Sequence, residues 1–89
     1  MNHAKLAERI VGKVNSGGLP SEPAQRVLNR LGRRLACDAC GRSILSDEVE
    51  HELLMPNGET LRMHVVCHGR WLADLLWRGL WGNRLAGRP

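Results

Sequence analysis

The sequence predicts one small α+β domain, with helices at both ends and a β-hairpin in the middle. Apolar residues recur at helical spacing in the first and last thirds of the chain, which predicts amphipathic helices there. Between them, Asn57-Gly58 is a strong signal for a tight hairpin turn. A chain of 89 residues without Phe or Tyr has few large side chains for a core. A domain of this kind usually needs a metal, disulfides or a partner to be stable.

The N-terminal third is predicted to form two helices. In residues 4–14, Leu6, Ile10 and Val14 lie four apart and form one apolar stripe. The turn cluster at residues 15–20 ends this helix, and Ser21 is a plausible N-cap for the next one. The apolar stripe of the second helix consists of Val27, Leu28, Leu31 and Leu35.

Four arginines accompany the second predicted helix, on a face separate from its apolar stripe. Arg26, Arg30 and Arg33 recur at helical spacing, and Arg34 lies next to them. A solvated face explains such a set, and so does a face that contacts nucleic-acid phosphates. The chain has a net charge of +4, but its middle third is acidic and would repel phosphate. Any nucleic-acid surface is therefore expected on the flanks.

The hairpin turn predicts which strand residues face each other. A two-residue loop at Asn57-Gly58 would place Leu54 opposite Leu61 and Glu52 opposite Met63. In that register His51 and His64 would lie on the same face of the hairpin. The acidic residues at 47–52 alternate along the strand. A solvated strand edge that discourages aggregation is enough to explain them.

The last helix is predicted from about His64 to Arg84 and is apolar around most of its circumference. Such a helix must be covered on more than one side. Trp71 is expected in the core, whereas Trp77 and Trp81 border the polar wedge of the helix. Exposed tryptophans are frequent interface anchors, so these two predict a surface for a protein partner or for self-association.

Cysteine and histidine form two pairs with matched spacing, Cys37-Asp38-Ala39-Cys40 and His64-Val65-Val66-Cys67. Zinc favours four nitrogen or sulfur ligands in a tetrahedron, and Cys₃His is a common structural set. A tight turn, or the first turn of a helix, directs residues i and i+3 towards one ion. The sequence therefore predicts one structural zinc ion bound by Cys37, Cys40, His64 and Cys67.

Other interpretations of these residues stay open. A Cys-x-x-Cys pair can be a redox pair, and buried thiols can also occur by chance. His68 is an alternative to His64 as a ligand, but its side chain points about 100° away from that of Cys67 around the helix. We expect His68 on the surface or beside the site. His51 is an ordinary strand residue, a neighbour of the site or a spare ligand.

The residues Cys37-x-x-Cys40-Gly41-x-x-Ile44, a hairpin, and His64-x-x-Cys67 at a helix start resemble a treble-clef zinc finger over about residues 37–82. Within that group the chain is most similar to one zinc half of a LIM domain, and the first motif is also similar to DksA/TraR-type bacterial fingers. A LIM domain has two such units in tandem, and DksA/TraR-type fingers have Cys where this chain has His64. The resemblance implies a zinc knuckle, a β-hairpin and a long C-terminal helix.

The predicted fold is thus α+β, with two N-terminal helices packed on a single treble-clef zinc finger. Residues 1–36 are the N-terminal helical segment, residues 37–84 the treble-clef unit and residues 85–89 a flexible C-terminal tail. Together they are expected to form one compact domain.

The function predicted from these patterns is that of a zinc-binding, non-enzymatic protein-interaction module. A closed Cys₃His site has no open position for substrate, so we expect neither an enzyme nor a small-molecule substrate. The alternatives are a nucleic-acid-binding regulator and a redox switch in which oxidation of Cys37 and Cys40 ejects zinc. No signal peptide or membrane span is visible, and an odd number of cysteines is a poor disulfide framework. A cytoplasmic protein without membrane contact is therefore expected.

Overall fold

The computed structural model describes residues 3–85, and the side chains of residues 4–79. The elements follow in the order α1 (His3–Ser16), β1 (Arg26–Leu31), β2 (Val49–Leu54), β3 (Thr60–His64) and α2 (Val65–Leu85). The three strands form one antiparallel sheet in the order β1-β2-β3. The predicted α+β class is confirmed, with two helices and three strands in the described part of the chain.

Helix α1 follows the predicted apolar stripe. Leu6, Ile10 and Val14 are all buried, so one side of the helix faces the core. The helix ends at Ser16, directly before Gly17, whose φ of 84° lies in the left-handed region that glycine adopts without strain. The amide of Gly18 then donates to the carbonyl of Lys13 at 2.7 Å, which satisfies one of the last carbonyls of the helix.

The second N-terminal helix was predicted wrongly, because residues 26–31 form strand β1. A spacing of four residues, as between Val27 and Leu31, also places both side chains on one face of a strand. Gly32 would have stood inside the predicted helix, where glycine is unfavourable. As a strand, the basic segment pairs with the acidic strand β2, and Arg30 lies directly opposite Glu50. Helical periodicity does not reveal this pairing, because the pairing depends on the opposite charges of two segments that are distant in the sequence.

The hairpin between β2 and β3 is present, but its register differs by one residue from the prediction. Leu53 lies opposite Leu61, and His51 lies opposite Met63. Only Gly58 of the turn has a positive φ (92°), whereas a type I′ turn needs a second one at Asn57. Pro56 precedes Asn57, and its fixed φ suits a three-residue loop that ends in a left-handed glycine.

Helix α2 packs on one face of β2 and β3. Side chains alternate along a strand, so the register places His51, Leu53 and Met63 on the same face. Leu53, Met63 and Trp71 of α2 are all fully buried, and they form the centre of the core. No helix covers strand β1 among the described residues, and all six of its residues are exposed.

The two helices run in the same direction. Near the start of each, Leu6 and Cys67 line one groove, and further along, Arg78 donates to the side chain of Asn15 at 2.9 Å. The segment between α1 and β1 returns across the core, where the Trp71 indole donates to the carbonyl of Pro20 at 3.0 Å. In the described residues neither helix is long and apolar enough to cross a membrane.

Candidate metal centre

Two of the four predicted ligands lie on a narrow turn between β1 and β2. The arms of this turn pair through an isolated bridge between Ala36 and Ser43. At its tip, the amide of Cys37 donates to the carbonyl of Arg42 at 2.9 Å, and the amide of Gly41 donates back to Cys37 at 2.8 Å. Gly41 has a φ of 81°, which allows the chain to reverse directly after Cys40. The turn therefore directs Cys37 and Cys40 to the same side.

The other two predicted ligands lie where the sheet passes into α2. His64 is the last residue of β3, and Cys67 lies in the first turn of α2. No loop separates the two elements, so the pair is fixed by regular backbone on both sides. Helix α2 packs on the sheet through Trp71, one turn after Cys67. The folding of the core thus positions this half of the site.

The structure brings all four donor atoms together. The three thiol sulfurs and one imidazole nitrogen lie within 4.8 Å of one another. His64 Nδ1 is 3.5 Å from Cys40 Sγ and 3.7 Å from Cys67 Sγ. Zinc bonds of about 2.3 Å to sulfur and 2.0 Å to nitrogen would place tetrahedral donors roughly 3.5–3.8 Å apart. The group therefore has the size and the donor set to hold one metal ion, of which zinc is the best match.

The imidazole of His64 is oriented for a metal by contacts on its far side. Its Nε2 lies 3.2 Å from the carbonyl oxygen of Ser43, to which it donates when Nε2 carries the proton. Glu48 Oε1 lies 3.6 Å from the same nitrogen. These acceptors favour the tautomer with a free lone pair on Nδ1, and metal-bound histidines commonly have such a partner on the other nitrogen.

The buried thiols favour one ionised sulfur even before a metal is considered. A hydrogen bond from the Cys67 thiol lowers the pKa of Cys37 to about 4, and the backbone amides of Cys40, His64 and Ala39 lower it further against the effect of burial. The same hydrogen bond, followed by burial, raises the pKa of Cys67. Metal binding requires thiolates, and these amides are suited to stabilise them.

Helix α1 and strand β3 both hold the cysteine turn in place through Asp38. Lys13 Nζ donates to the Asp38 carbonyl at 2.8 Å. The Asp38 carboxylate accepts the amide of Arg62 at 2.8 Å, and the Asp38 amide donates back to the Arg62 carbonyl at 2.8 Å. Nothing in the sequence singles out Asp38 beyond its place between two cysteines, and that place does not specify a contact with β3.

A groove of about 690 Å³ lies beside the four donors. Leu6 of α1, Leu45 and Val49 form part of its apolar wall, and Val65 and Val66 at the start of α2 complete it. Cys40, His64 and Cys67 reach the groove from the inside. All four coordination positions of a tetrahedral ion would be taken by protein atoms, so the groove would meet a closed centre.

His51 and His68 form a pair away from the predicted ligands. Their Nδ1 atoms are 2.8 Å apart, and His68 also packs against Trp71 with ring centroids 6.0 Å apart. His68 is 6% exposed, so of its two expected places, on the surface or beside the site, the surface is wrong. Burial lowers the pKa of His68, and His51 lowers it further. The one-residue difference in register turns His51 away from His64 and towards α2.

The four arginines assigned to a possible nucleic-acid surface do not lie on a helix. Arg30 donates to Glu52 at 3.2 Å, and Arg33 donates to the fully buried Glu50 at 2.7 Å. The hydrogen bond with Glu50 raises the pKa of Arg33. Arg26 lies at the start of β1 and Arg34 in the following loop, where it has a positive φ of 61°. Two of these four charges are therefore compensated within the chain.

The tryptophans divide as the helical pattern predicts, as far as the structure describes them. Trp71 is fully buried, and Trp77 is 59% exposed. Leu76 beside it is 65% exposed. The side chain of Trp81 lies outside the described residues. Whether this surface binds a partner stays a prediction.

Comparison of the chain with protein-family models, with curated proteins and with solved structures gives no match. The assignment of a metal therefore depends on the donor set and its geometry. Both are internal properties of this fold.

Proposed function

We propose that this chain is a small zinc-stabilised interaction module of treble-clef architecture, in which one structural zinc ion is bound by Cys37, Cys40, His64 and Cys67. The convergence of these four donors from two separate parts of the chain carries the proposal. The order of a cysteine turn, a β-hairpin and a helix that begins between its two ligands supports the treble-clef assignment, with β1 as an added strand.

A structural role for the ion agrees with the distribution of the core. The cysteine turn lies outside the regular elements, yet Cys37, Ala39 and Cys40 are buried in the core. Zinc would join it to the junction of β3 and α2, and binding energy of this kind is folding energy. With every coordination position filled by protein, the centre has no site for a substrate or an activated water. We therefore propose a non-enzymatic role.

Binding to another protein is proposed to use the exposed side of α2. Leu76 and Trp77 are among the most exposed large apolar residues of the described chain. The sequence prediction adds Trp81 to this surface. Exposed tryptophans of this kind often contribute most to an interface. Nucleic-acid binding through Arg26, Arg30, Arg33 and Arg34 stays a prediction of the sequence that the ion pairs of Arg30 and Arg33 do not favour.

Native mass spectrometry and elemental analysis test the metal proposal. We expect one zinc ion per chain, and its loss with unfolding in Cys37→Ser, Cys40→Ser and Cys67→Ser. Ser43→Ala is the matched control, because His64 contacts the backbone carbonyl of Ser43 and not its hydroxyl. A well-folded wild-type protein that takes up no zinc would contradict the proposal, and so would a Cys67→Ser variant with full zinc content.

The interaction role needs a separate test. Trp77→Ala should weaken binding of a protein partner recovered by cross-linking, without any change in zinc content. Leu45→Lys is the control, because Leu45 is also an exposed apolar residue (45% exposed) but lies in the groove beside the metal centre. Equal partner binding by wild type and Trp77→Ala would exclude α2 as the interface.

A further inference from the structure

Strand β1 has a free outer edge that nothing in the described structure covers. Among the helices and strands it contacts only β2, and all six of its residues are exposed. It contains no proline and no lysine, which are two of the usual protections of an edge strand, and its charged residues are Arg26 and Arg30. The edge is therefore open to another strand.

The hydrogen-bond pattern shows which backbone groups form this edge. The amide of Gly32 donates to the carbonyl of Glu48 at 2.9 Å, so these two residues are a hydrogen-bonded pair. Bonded and non-bonded pairs alternate along an antiparallel ladder. Even-numbered residues of β1 therefore bond to β2. The amides and carbonyls of Val27, Asn29 and Leu31 point to the outer edge.

The opposite edge of the sheet, on β3, is not open in the same way. On β3, the outward amide and carbonyl of Arg62 are both bonded to Asp38. The cysteine turn thus covers β3 at Arg62, whereas no equivalent cover exists for β1 within residues 3–85. Of the two edges of the sheet, the one on β1 is therefore the more accessible to a further strand.

The side chains of β1 fit a second copy of the same strand. If a twofold axis passes through Asn29, Val27 lies opposite Leu31 of the second copy, and about six backbone hydrogen bonds form. An axis through Leu28 would form about four such bonds and place Arg26 opposite Arg30 of the second copy, which is unfavourable. The axis through Asn29 therefore satisfies the three outward residues and avoids facing like charges.

The exposed apolar side chains favour the same pairing. Val27 and Leu31 are 43% and 65% exposed and lie on one face of the strand, next to Val49 of β2, which is 45% exposed. Pairing brings the two stripes together across the axis. Arg30 lies on the other face and is bonded to Glu52 of its own chain at 3.2 Å, so its charge is compensated before the second copy arrives.

We propose that two copies of this chain associate through antiparallel pairing of β1 with β1, with Asn29 on the twofold axis, to form a continuous six-stranded sheet. The surface is separate from the exposed side of α2, and the pairing does not depend on the proposed role of that helix. Interfaces of this kind are isologous, because the same residues contribute from both copies.

Sedimentation over a range of concentrations, on zinc-loaded protein, tests the pairing. Wild type should reach twice the 9.9 kDa chain mass. Asn29→Pro should be a monomer, because it removes an outward amide and leaves the bonds to β2 intact. Asn29→Thr retains that amide and should remain a dimer.

A charge exchange tests the register and does not depend on proline. Asn29→Lys and Asn29→Asp should each be monomeric, because two like charges at residue 29 would face each other across the twofold axis. An equimolar mixture of the two should restore the mass of two chains. The same two substitutions at Thr60, on the other edge of the sheet, should leave wild-type pairing unchanged.

Three results would overturn the proposal. These are a monomeric wild type at all concentrations, a dimer that persists in Asn29→Pro, and a mixture of the Lys and Asp variants that stays monomeric. A dimer that is lost in Trp77→Ala but retained in Asn29→Pro would instead assign self-association to α2. The metal content of every variant is measured in parallel, so failure of zinc binding is seen separately.

Discussion

His64 and His68 lie four residues apart, yet the fold gives them different surroundings. His64 directs Nδ1 at the cysteine sulfurs and Nε2 at the Ser43 carbonyl. His68 is buried between His51 and Trp71, on the side of α2 that faces the sheet. The first histidine has the contacts of a ligand, and the second has those of a core residue.

Substitution of each histidine separates these roles. His64→Ala should abolish stoichiometric zinc binding and unfold the chain, because a ligand is lost. His68→Ala should retain one zinc ion but lower the free energy of unfolding by about 1–3 kcal/mol, since it leaves His51 without a buried partner. Elemental analysis and chemical denaturation measure the two effects. Loss of zinc in His68→Ala together with full zinc in His64→Ala would reverse the assignment.

Gly32 is predicted to be the glycine least tolerant of a side chain. A Cβ there would overlap the carbonyl oxygen of Leu45 and lie 2.6 Å from that of Ile44. Both belong to the arm that leads away from the cysteine turn, so Gly32→Ala should lower the unfolding midpoint clearly.

Gly12 provides the comparison within the same chain. It lies in α1, and a Cβ would meet nothing within 4 Å. Gly12→Ala should stabilise the protein by about 0.5–1 kcal/mol, because alanine favours a helix. Thermal unfolding of both variants tests the pair. Equal midpoints for the two would show that the strands around Gly32 move aside without cost.

At this scale the sequence could predict the ligand set but not the neighbours of the ligands. The ligands follow from spacing, since two residues between donors suit both a tight turn and a first helical turn. The contact of His51 with His68 depends on a register that Pro56 shifts by one residue. The acceptor for His64 is a backbone carbonyl, and because every residue has one, the sequence does not identify it.

Among the elements, β1 is the clearest case in which the local sequence pattern predicts the wrong secondary structure. Its apolar and basic residues satisfy a helical period, and only the acidic strand β2 makes the extended form favourable. The helices were predicted well because their apolar stripes are long and each contains its own periodic signal. A six-residue strand is specified by its partner, which lies 18 or more residues away in the sequence.

The ion pairs that Arg30 and Arg33 make with β2 can be ranked by substitution. Arg33 is the cation bonded to Glu50, a carboxylate that is fully buried, at 2.7 Å. Arg33→Ala should lower the midpoint of urea unfolding more than Arg30→Ala does, because it leaves a buried charge unpaired. Arg30 pairs with the partly exposed Glu52, and exposed pairs contribute little. A larger loss in Arg30→Ala would show that Glu50 is stabilised by other groups.

For the molecule as a whole, the proposed metal centre would join parts that lie far apart in the sequence. An ion there would link the cysteine turn to the junction of β3 and α2, and the turn also contacts α1 through Lys13. Loss of the ion should therefore loosen both ends of the chain together. This cooperative behaviour follows from the position of the centre and not from the size of the core.

Acid should release the ion and reduce stability in the same pH range. In the metal-free fold the hydrogen bond from Cys67 lowers the pKa of Cys37 to about 4, below the unfolded value of roughly 8.5, so the folded state binds fewer protons at this group. Its contribution is complete above the unfolded pKa and is lost as the pH falls through about 4. A zinc-sensitive dye and circular dichroism followed in one titration should change together. Zinc release without any change in the circular dichroism would separate the ion from the fold.

The hydrogen bond between the Trp71 indole and the Pro20 carbonyl also gives the protein an internal optical probe. Trp71 is fully enclosed and ties α2 to the segment behind α1, whereas Trp77 is largely open to water. A small quencher such as acrylamide should therefore reach Trp77 at once and Trp71 only after that segment lifts away. Fluorescence alone can then report whether the N-terminal part detaches before the metal leaves or only afterwards.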